Sequence, residues 1–240
     1  MDQVTKLVLI KIKKAIALIL ENYLGLKKKE SISVPVGFIA QSKNKAYVIF
    51  RGTKTTKEWV NNVSINLKDY FVPNYGNVHD GFFQIYNSAR NDLLKLMKEI
   101  HSRKIFVAGH SLGGALATLS LPDIELNMSQ KVAALYTFGS PRVGDNAFVK
   151  AFNDRFQDKS FRIANTSDIV TAIPLPIPMG AFLGGYFSHI DTPIDFTCQN
   201  NEIELNHVMK TYLAQLNEAR KKNGIIYKIM KMGRLTHAST

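Results

Sequence analysis

The stretch KIFVAGHSLGGALATLSL, residues 104–121, predicts a buried strand, a very tight turn and a helix that ends at Pro122. Ser111 lies in the turn between Gly109 and Gly113, which leave room where the chain folds back on itself. A strained turn of this kind lifts a serine hydroxyl clear of a sheet, where a neighbouring base can activate it. The stretch therefore predicts an α/β fold with Ser111 as nucleophile. The alternative is a glycine-rich connection that carries no chemistry.

The length and charge of the chain limit its number of domains and the kinds of partner that it can bind. A chain of 240 residues can bury a large core, and we expect one domain over residues 1–240. The net charge of +12 favours anionic partners. Its basic residues are not interleaved with aromatic ones in a nucleic-acid-binding motif, so we expect an acidic membrane surface rather than nucleic acid. The single cysteine, Cys198, excludes an intramolecular disulfide framework.

The N-terminal stretch, residues 1–26, predicts a basic amphipathic helix with Ile12, Ile16 and Ile19 on its apolar side. Lysines interrupt the apolar run, so we expect neither a standard signal peptide nor a transmembrane segment. This favours a cytoplasmic or membrane-peripheral location over secretion. The helix can pack against the core of its own domain or lie on an anionic membrane surface.

A second early feature is the junction Arg51-Gly52-Thr53, which follows a strand predicted over residues 46–50. When a serine attacks an ester, the carbonyl oxygen becomes negative and needs donors already in place. One such donor comes from the loop after an early strand, and the other is the backbone N–H just past the nucleophile. We therefore predict Thr53 and Leu112 as the oxyanion donors.

The catalytic base must be a histidine that can reach Ser111. In hydrolases with such a turn the order along the chain is nucleophile, acid, histidine, which removes the histidines that precede Ser111. His237 lies in a tail, which leaves His189 and His207. His207 follows a short strand predicted over residues 202–205, at a loop position from which an imidazole can reach the turn. His189 is expected to be a packed residue of a strand, so we predict His207 as the base.

The acid that orients this histidine must also lie between Ser111 and His207. Asp168 directly follows a strand predicted over residues 161–165, at the carboxyl edge where open α/β sheets place their sites. Asp145, in the loop after another predicted strand, is the second candidate. We predict Asp168 as the acid.

Two further segments are candidates for covering the site. Residues 59–78 are irregular and rich in aromatic side chains, which suits either a mobile lid or a packed connection. Residues 172–187 form a proline-containing apolar loop, which suits either acyl-chain contact or a rigid cover on the core.

The combination of motifs resembles the class 3 (fungal-type) lipases from about residue 36 to residue 216. The resemblance rests on the following stretches: Phe50-Arg51-Gly52-Thr53, Gly109-His110-Ser111-Leu112-Gly113-Gly114, residues 137–145, Asp168-Ile169-Val170 and Asn206-His207. It implies an α/β-hydrolase fold, with a central mostly parallel sheet flanked by helices. It implies the same triad and oxyanion residues as those chosen above, and a structural histidine at His189.

The resemblance also implies an activity. It is the hydrolysis of acylglycerol esters through an acyl-enzyme, with no metal or organic cofactor and a lipid ester as substrate. A phospholipase A1-type activity is an alternative. A catalytically silent hydrolase fold that binds lipid or protein is another, because a fold alone does not determine function.

Overall fold

The computed structural model describes residues 6–12, 34–52, 66–102, 104–176, 187–191 and 193–223. The strands in these ranges are β1 (Lys6–Ile12), β2 (Val34–Gln41), β3 (Lys45–Phe50), β4 (Leu67–Asp69), β5 (Asn77–His79), β6 (Lys104–His110), β7 (Val132–Phe138), β8 (Ser160–Asn165) and β9 (Pro193–Phe196). The helices are α1 (Asp80–Lys98), α2 (Leu112–Asn127), α3 (Asn146–Phe156), α4 (Ile203–His207) and α5 (Met209–Asn223).

Within these ranges, seven strands form one mixed sheet in the order β1-β2-β3-β6-β7-β8-β9. The β1/β2 and β2/β3 pairs are antiparallel, and every pair from β3 to β9 is parallel. Strands β4 and β5 form a separate antiparallel pair. The predicted mostly parallel sheet flanked by helices is therefore confirmed.

One face of the sheet, called here the helix-covered face, packs against α1 and α2. Alternate strand residues such as Ile10, Val48 and Val107 are fully buried there, as a covered sheet face requires. Lys6 and Ile10 are four residues apart in β1, so their side chains lie on the same face of the strand. Lys6 forms an ion pair with Glu99 at the end of α1, which shows that this face of β1 is turned toward α1. The carboxyl ends of β6, β7 and β8 meet at one edge of this sheet, and that edge carries the candidate site.

The predicted N-terminal helix is wrong at Lys6–Ile12, which forms the edge strand β1. A short apolar run fits a helical wheel and a strand equally well, and periodicity alone does not separate them. The stretch is rich in Val, Leu and Ile, and pairing with β2 satisfies its backbone groups. Residues 1–5 and 13–26 of the predicted helix lie outside the described ranges, and the single-domain organisation stays a prediction.

Pro122 does not end the helix that follows the tight turn, since α2 continues to Asn127. Asp123, which directly follows Pro122, is fully buried. It receives two hydrogen bonds of 2.8 Å from Arg90 and one of 2.7 Å from Tyr86, and both of these residues lie in α1. Hydrogen bonds to a buried charge are among the stronger ones in proteins. These bonds stabilise the helix past the proline and tie α2 to α1.

Candidate active site

Ser111 stands at the turn between β6 and α2, as predicted. Its φ of 58° and ψ of −130° form a backbone conformation that non-glycine residues rarely adopt. A Cβ at Gly109 would lie 2.0 Å from the Gly113 oxygen, and a Cβ at Gly113 would lie 2.3 Å from the Phe50 oxygen. No side chain fits at either position, which explains the two glycines that flank the serine.

His207 and Asp168 form a buried pair, with 2.7 Å between His207 Nδ1 and Asp168 Oδ2. Asp168 follows β8, and its other carboxylate oxygen accepts from the Val170 N–H at 2.9 Å, which begins a 3₁₀ turn over Ile169–Ala172. The short strand predicted before His207 is wrong, because residues 203–207 form α4 with His207 as its last residue. The aspartate and histidine chosen from the sequence therefore lie in direct contact.

Tyr212 is a site residue that the sequence reasoning missed. Its hydroxyl donates to Asp168 Oδ2 at 2.6 Å and accepts from the Asn165 N–H at 3.2 Å. Burial, followed by the nearby Asp168 carboxylate, raises the pKa of Tyr212, so the phenol stays a donor. The sequence signal was a tyrosine on the apolar side of an amphipathic helix, where a buried hydroxyl needs a partner.

His110, which chain order excludes as the base, contacts His207. Its Nε2 lies 2.6 Å from the backbone oxygen of His207, and the two rings are 4.6 Å apart. Since a carbonyl only accepts, Nε2 carries the proton and donates it. Burial, and then the neighbouring His207, lowers the pKa of His110 to about 4. His110 is thus a neutral donor that holds the backbone of His207.

This depressed pKa predicts how stability depends on pH. The folded protein keeps His110 neutral down to a pKa of about 4, whereas the ordinary pKa in the unfolded chain is 6.5. The unfolded chain therefore binds the extra proton first, and lowering the pH through this window destabilises the fold. The difference corresponds to about 3 kcal/mol of unfolding free energy.

We expect His110→Phe, which keeps a ring but cannot titrate, to lose this share of the pH dependence. The measurement is denaturant unfolding at about pH 7 and about pH 4.5. His189→Phe is the matched comparison, because burial also lowers the pKa of His189, to about 3. If the free energy of unfolding fell as much between about pH 7 and about pH 4.5 in His110→Phe as in the parent protein, the pH dependence would not come from His110.

Two buried atoms at the site have no hydrogen-bond partner among the described residues: Ser111 Oγ and His207 Nε2. In a serine hydrolase, a serine Oγ and a histidine Nε2 are the atoms that exchange a proton. A buried polar atom without a partner costs free energy, and such atoms are uncommon in folded proteins. The described residues include further atoms of this kind, such as Thr137 Oγ1 and Ser160 Oγ, so the lack of a partner supports the predicted roles only together with the strained turn and the contact to Asp168.

The predicted oxyanion residues are only partly described. Leu112 is the first residue of α2, where backbone N–H groups lack partners within the helix. Thr53 lies outside the described residues, but Gly52 before it is close to the nucleophile. A Cβ at Gly52 would lie 3.2 Å from Ser111 Cβ, and Gly52 and Leu112 line the same small cavity.

Asp145 and His189, the second candidates for the acid and the base, have structural roles. Asp145 caps α3, with Oδ1 accepting from the Phe148 N–H at 2.8 Å and Oδ2 accepting from the Asn77 side chain at 2.9 Å. His189 Nε2 lies 2.7 Å from the Thr171 oxygen. Neither residue contacts the buried pair of Asp168 and His207 in any described hydrogen bond.

The two predicted covering segments are described only in part. In the first, Tyr70, Val72, Tyr75 and Val78 are buried, which supports a packed connection over residues 66–78. Residues 59–65 and most of the loop at 172–187 lie outside the described ranges. Among the residues that the structure describes, no group of three or more metal-ligating side chains occurs. No helix in the same ranges is long and apolar enough to cross a membrane.

The family model for class 3 lipases matches residues 47–177, more than half of the chain and including Ser111 and Asp168. The chain belongs to the class 3 lipase family. It is 37% identical over 114 residues to a lipase of Rhizomucor miehei, which covers 45% of this chain and 31% of that protein. It is 29% identical over 233 residues to the chloroplastic/mitochondrial phospholipase A1 EG1 of Oryza sativa subsp. indica, which covers 76% of this chain and 52% of that protein.

This class 3 lipase family member also matches solved structures of its relatives. A crystal structure of a mutant form of MDLA from Penicillium cyclopium superimposes with a TM-score of 0.58 at 27% identity. The match covers 69% of this chain and 60% of that one. The chain thus spans about a third to a half of the length of the two curated relatives.

Proposed function

We propose that the protein is a serine hydrolase of carboxylic esters in which Ser111, His207 and Asp168 form a catalytic triad. The observation that carries the proposal is the buried pair of His207 and Asp168 beside the strained turn of Ser111. Neither His207 Nε2 nor Ser111 Oγ has a hydrogen-bond partner in the part of the chain that the structure describes. The aspartate holds the imidazole with Nδ1 protonated, which leaves Nε2 as the base. Tyr212 holds the carboxylate in turn.

The proposed reaction has two halves. Ser111 Oγ bonds to the ester carbonyl carbon while His207 Nε2 takes its proton, and the carbonyl electron pair moves onto oxygen. The Leu112 and Thr53 donors stabilise that oxyanion. When the oxyanion collapses, the bond to the alcohol breaks and the alcohol takes the proton from His207. Water then attacks the acyl-enzyme by the same route and releases the acid.

We infer that the substrates are acylglycerols. The family model and the Rhizomucor miehei relative, both named as lipases, support this inference. A phospholipase A1-type activity is the second candidate, because the rice relative carries that name and matches over a longer stretch. The test is a panel of tri-, di- and monoacylglycerols and phospholipids at equal surface concentration, with Ser111→Ala as the blank. Higher kcat/KM on phospholipids would favour the second candidate, and no turnover on any ester would favour a silent binding module.

Asp168→Asn tests the assignment of the acid. The neutral amide cannot stabilise the imidazolium, and with its oxygen kept on the Val170 N–H its NH2 group would donate to His207 Nδ1 and favour the wrong tautomer. We therefore expect kcat to fall by about four orders of magnitude. The matched control is Asp145→Asn, which keeps an oxygen to cap α3 and should change kcat little. The measurement is kcat on a soluble short-chain ester. If Asp145→Asn lost activity and Asp168→Asn kept it, the two roles would be exchanged.

Binding to an anionic membrane through residues 1–26 is a weaker proposal. The part of this segment that the structure describes is β1, which the sheet uses as an edge strand. Two of its side chains, Leu7 and Leu9, are nevertheless exposed. These two side chains could contact either a lipid surface or another part of the protein.

A further inference from the structure

The sheet face opposite α1 and α2 carries exposed apolar side chains on its β1-β2-β3 side. Leu7 is 64% exposed, Leu9 49%, Tyr47 37% and Phe38 36%. A single exposed leucine needs no explanation, but a contiguous apolar patch marks a binding surface. We call this surface the apolar half-face, defined by Leu7, Leu9, Phe38, Tyr47, Ile49 and Phe106.

The strand register brings these side chains together. Leu9 pairs with Phe38, and Phe38 pairs with Ile49 on the next strand. Tyr47 pairs with Phe106 on β6, and their rings stack with centroids 5.5 Å apart. Directly paired residues on neighbouring strands point to the same face. The apolar half-face is therefore one continuous surface across four strands.

Helix α5 covers the other half of the same face. Tyr212 of α5 lies edge-on to Phe138 and Phe196, with ring centroids 6.5 and 5.1 Å apart. The high exposure of Leu7, Leu9 and Tyr47 shows that no comparable cover reaches β1, β2 and β3 in the described ranges. Parallel strands such as β3 and β6 normally have both faces buried.

Residues 13–33 have a suitable length and starting position to cover the apolar half-face. Ile12 at the end of β1 pairs with Val34 at the start of β2, so residues 13–33 leave and return at one point of the sheet edge. An ordinary hairpin loop has roughly two to five residues, and a loop this long without a role in packing is uncommon. The segment starts beside the apolar half-face.

The sequence of residues 13–33 also contains an apolar side that could pack on the apolar half-face. Ile16, Ile19, Leu20 and Tyr23 recur at helical spacing, and lysines occupy both ends, at positions 13–14 and 27–29. A helix of about 12 residues is about 18 Å long. Four strands at about 4.8 Å spacing span about 14 Å. One such helix is long enough to cross the whole apolar half-face.

We propose that residues 13–33 dock on the apolar half-face and complete the second layer of the sheet. Burial of Leu7, Leu9, Phe38 and Tyr47 against this segment removes the exposed apolar patch from water. It also explains why an edge strand carries leucines on a face that no described helix covers. The amphipathic character of the segment then serves packing and not attachment to lipid.

The test is cysteine crosslinking in the full chain with Cys198→Ser as background. Tyr47→Cys is combined in turn with Ile16→Cys, Ile19→Cys and Leu20→Cys, and a short bifunctional maleimide is added. The matched control replaces Tyr47→Cys by Leu126→Cys, since Leu126 is 59% exposed on α2, away from the apolar half-face. We expect an intramolecular crosslink with Tyr47→Cys in at least one pair, at a yield at least about tenfold above the control.

Three outcomes would overturn the proposal. Crosslinks only between chains would assign the apolar half-face to a second copy. Absence of a crosslink in all three pairs, together with protection of Tyr47→Cys from maleimide by anionic phosphatidylserine vesicles, would assign it to a lipid surface. Equal yields for Tyr47→Cys and Leu126→Cys would show that the segment does not dock at all. Hydrolase activity is not used as a readout, so the test is independent of the proposed function.

Discussion

Ser111→Ala is expected to lower kcat on any ester that the protein cleaves by about five to six orders of magnitude. The change removes the atom that would bond to the acyl group. The protein should still fold, because Ser111 Oγ has no hydrogen-bond partner among the described residues and its loss breaks no contact of the fold. Steady-state hydrolysis of a soluble short-chain ester is the measurement, with circular dichroism as the check on folding.

Ser120→Ala is the matched control for this change. Ser120 is a buried serine of the same helix, but its hydroxyl donates to the Ala117 oxygen at 2.8 Å and lies away from the turn. It should keep its kcat and lose only about 1 kcal/mol of stability. Activity retained in Ser111→Ala, or lost to the same degree in Ser120→Ala, would move the nucleophile elsewhere.

His207→Ala is expected to have an effect of similar size, since residues that act as a unit also fail as a unit. Without the imidazole, Ser111 has no base, and Asp168 keeps only its bonds to Tyr212 and to the Val170 N–H. The loss should appear in kcat and not in KM, because the base acts in the transition state. Pre-steady-state measurements on a chromogenic ester would locate it in the acylation step.

His189→Ala is the comparison that makes the His207 result specific. His189 is partly buried and its Nε2 bonds to the backbone oxygen of Thr171, so its removal also costs a packed imidazole and one hydrogen bond. We expect lower stability and little change in kcat for the folded fraction. An inactive but folded His189→Ala beside an active His207→Ala would reverse the assignment of the base.

The parts of the site that could be predicted from sequence are those where chemistry restricts the residue type. The tight turn admits only glycine two residues to either side of Ser111. Chain order leaves few histidines for the base, and a position directly after a predicted strand favours Asp168 among the aspartates. Their contact at 2.7 Å agrees with that prediction, although their catalytic roles await the experiments above. The parallel strands β3, β6, β7 and β8 were predictable as well, because each is a short, mainly apolar run that ends in a polar turn. Strand β9 was not predicted, because its sequence Pro-Ile-Asp-Phe is not an apolar run.

The parts that could not be predicted depend on tertiary contacts. Tyr212 and His110 look like ordinary core residues in the sequence, and only the folded chain brings them to Asp168 and to the backbone of His207. The strand β1 was predicted as a helix because a short apolar run fits both periods, and pairing with β2 decided the outcome. Pro122 was expected to end α2, but the hydrogen bonds of Asp123 hold the helix beyond it.

Covalent labelling with a fluorophosphonate tests whether Ser111 is an activated nucleophile, since this reagent reacts preferentially with such serines. The intact protein should take up one label per chain, and peptide mass spectrometry should place it on Ser111. Ser111→Ala should take up none, and His207→Ala should react far more slowly than the parent protein. A label on another serine, or a labelling rate that does not change in either variant, would contradict the assignment of the triad.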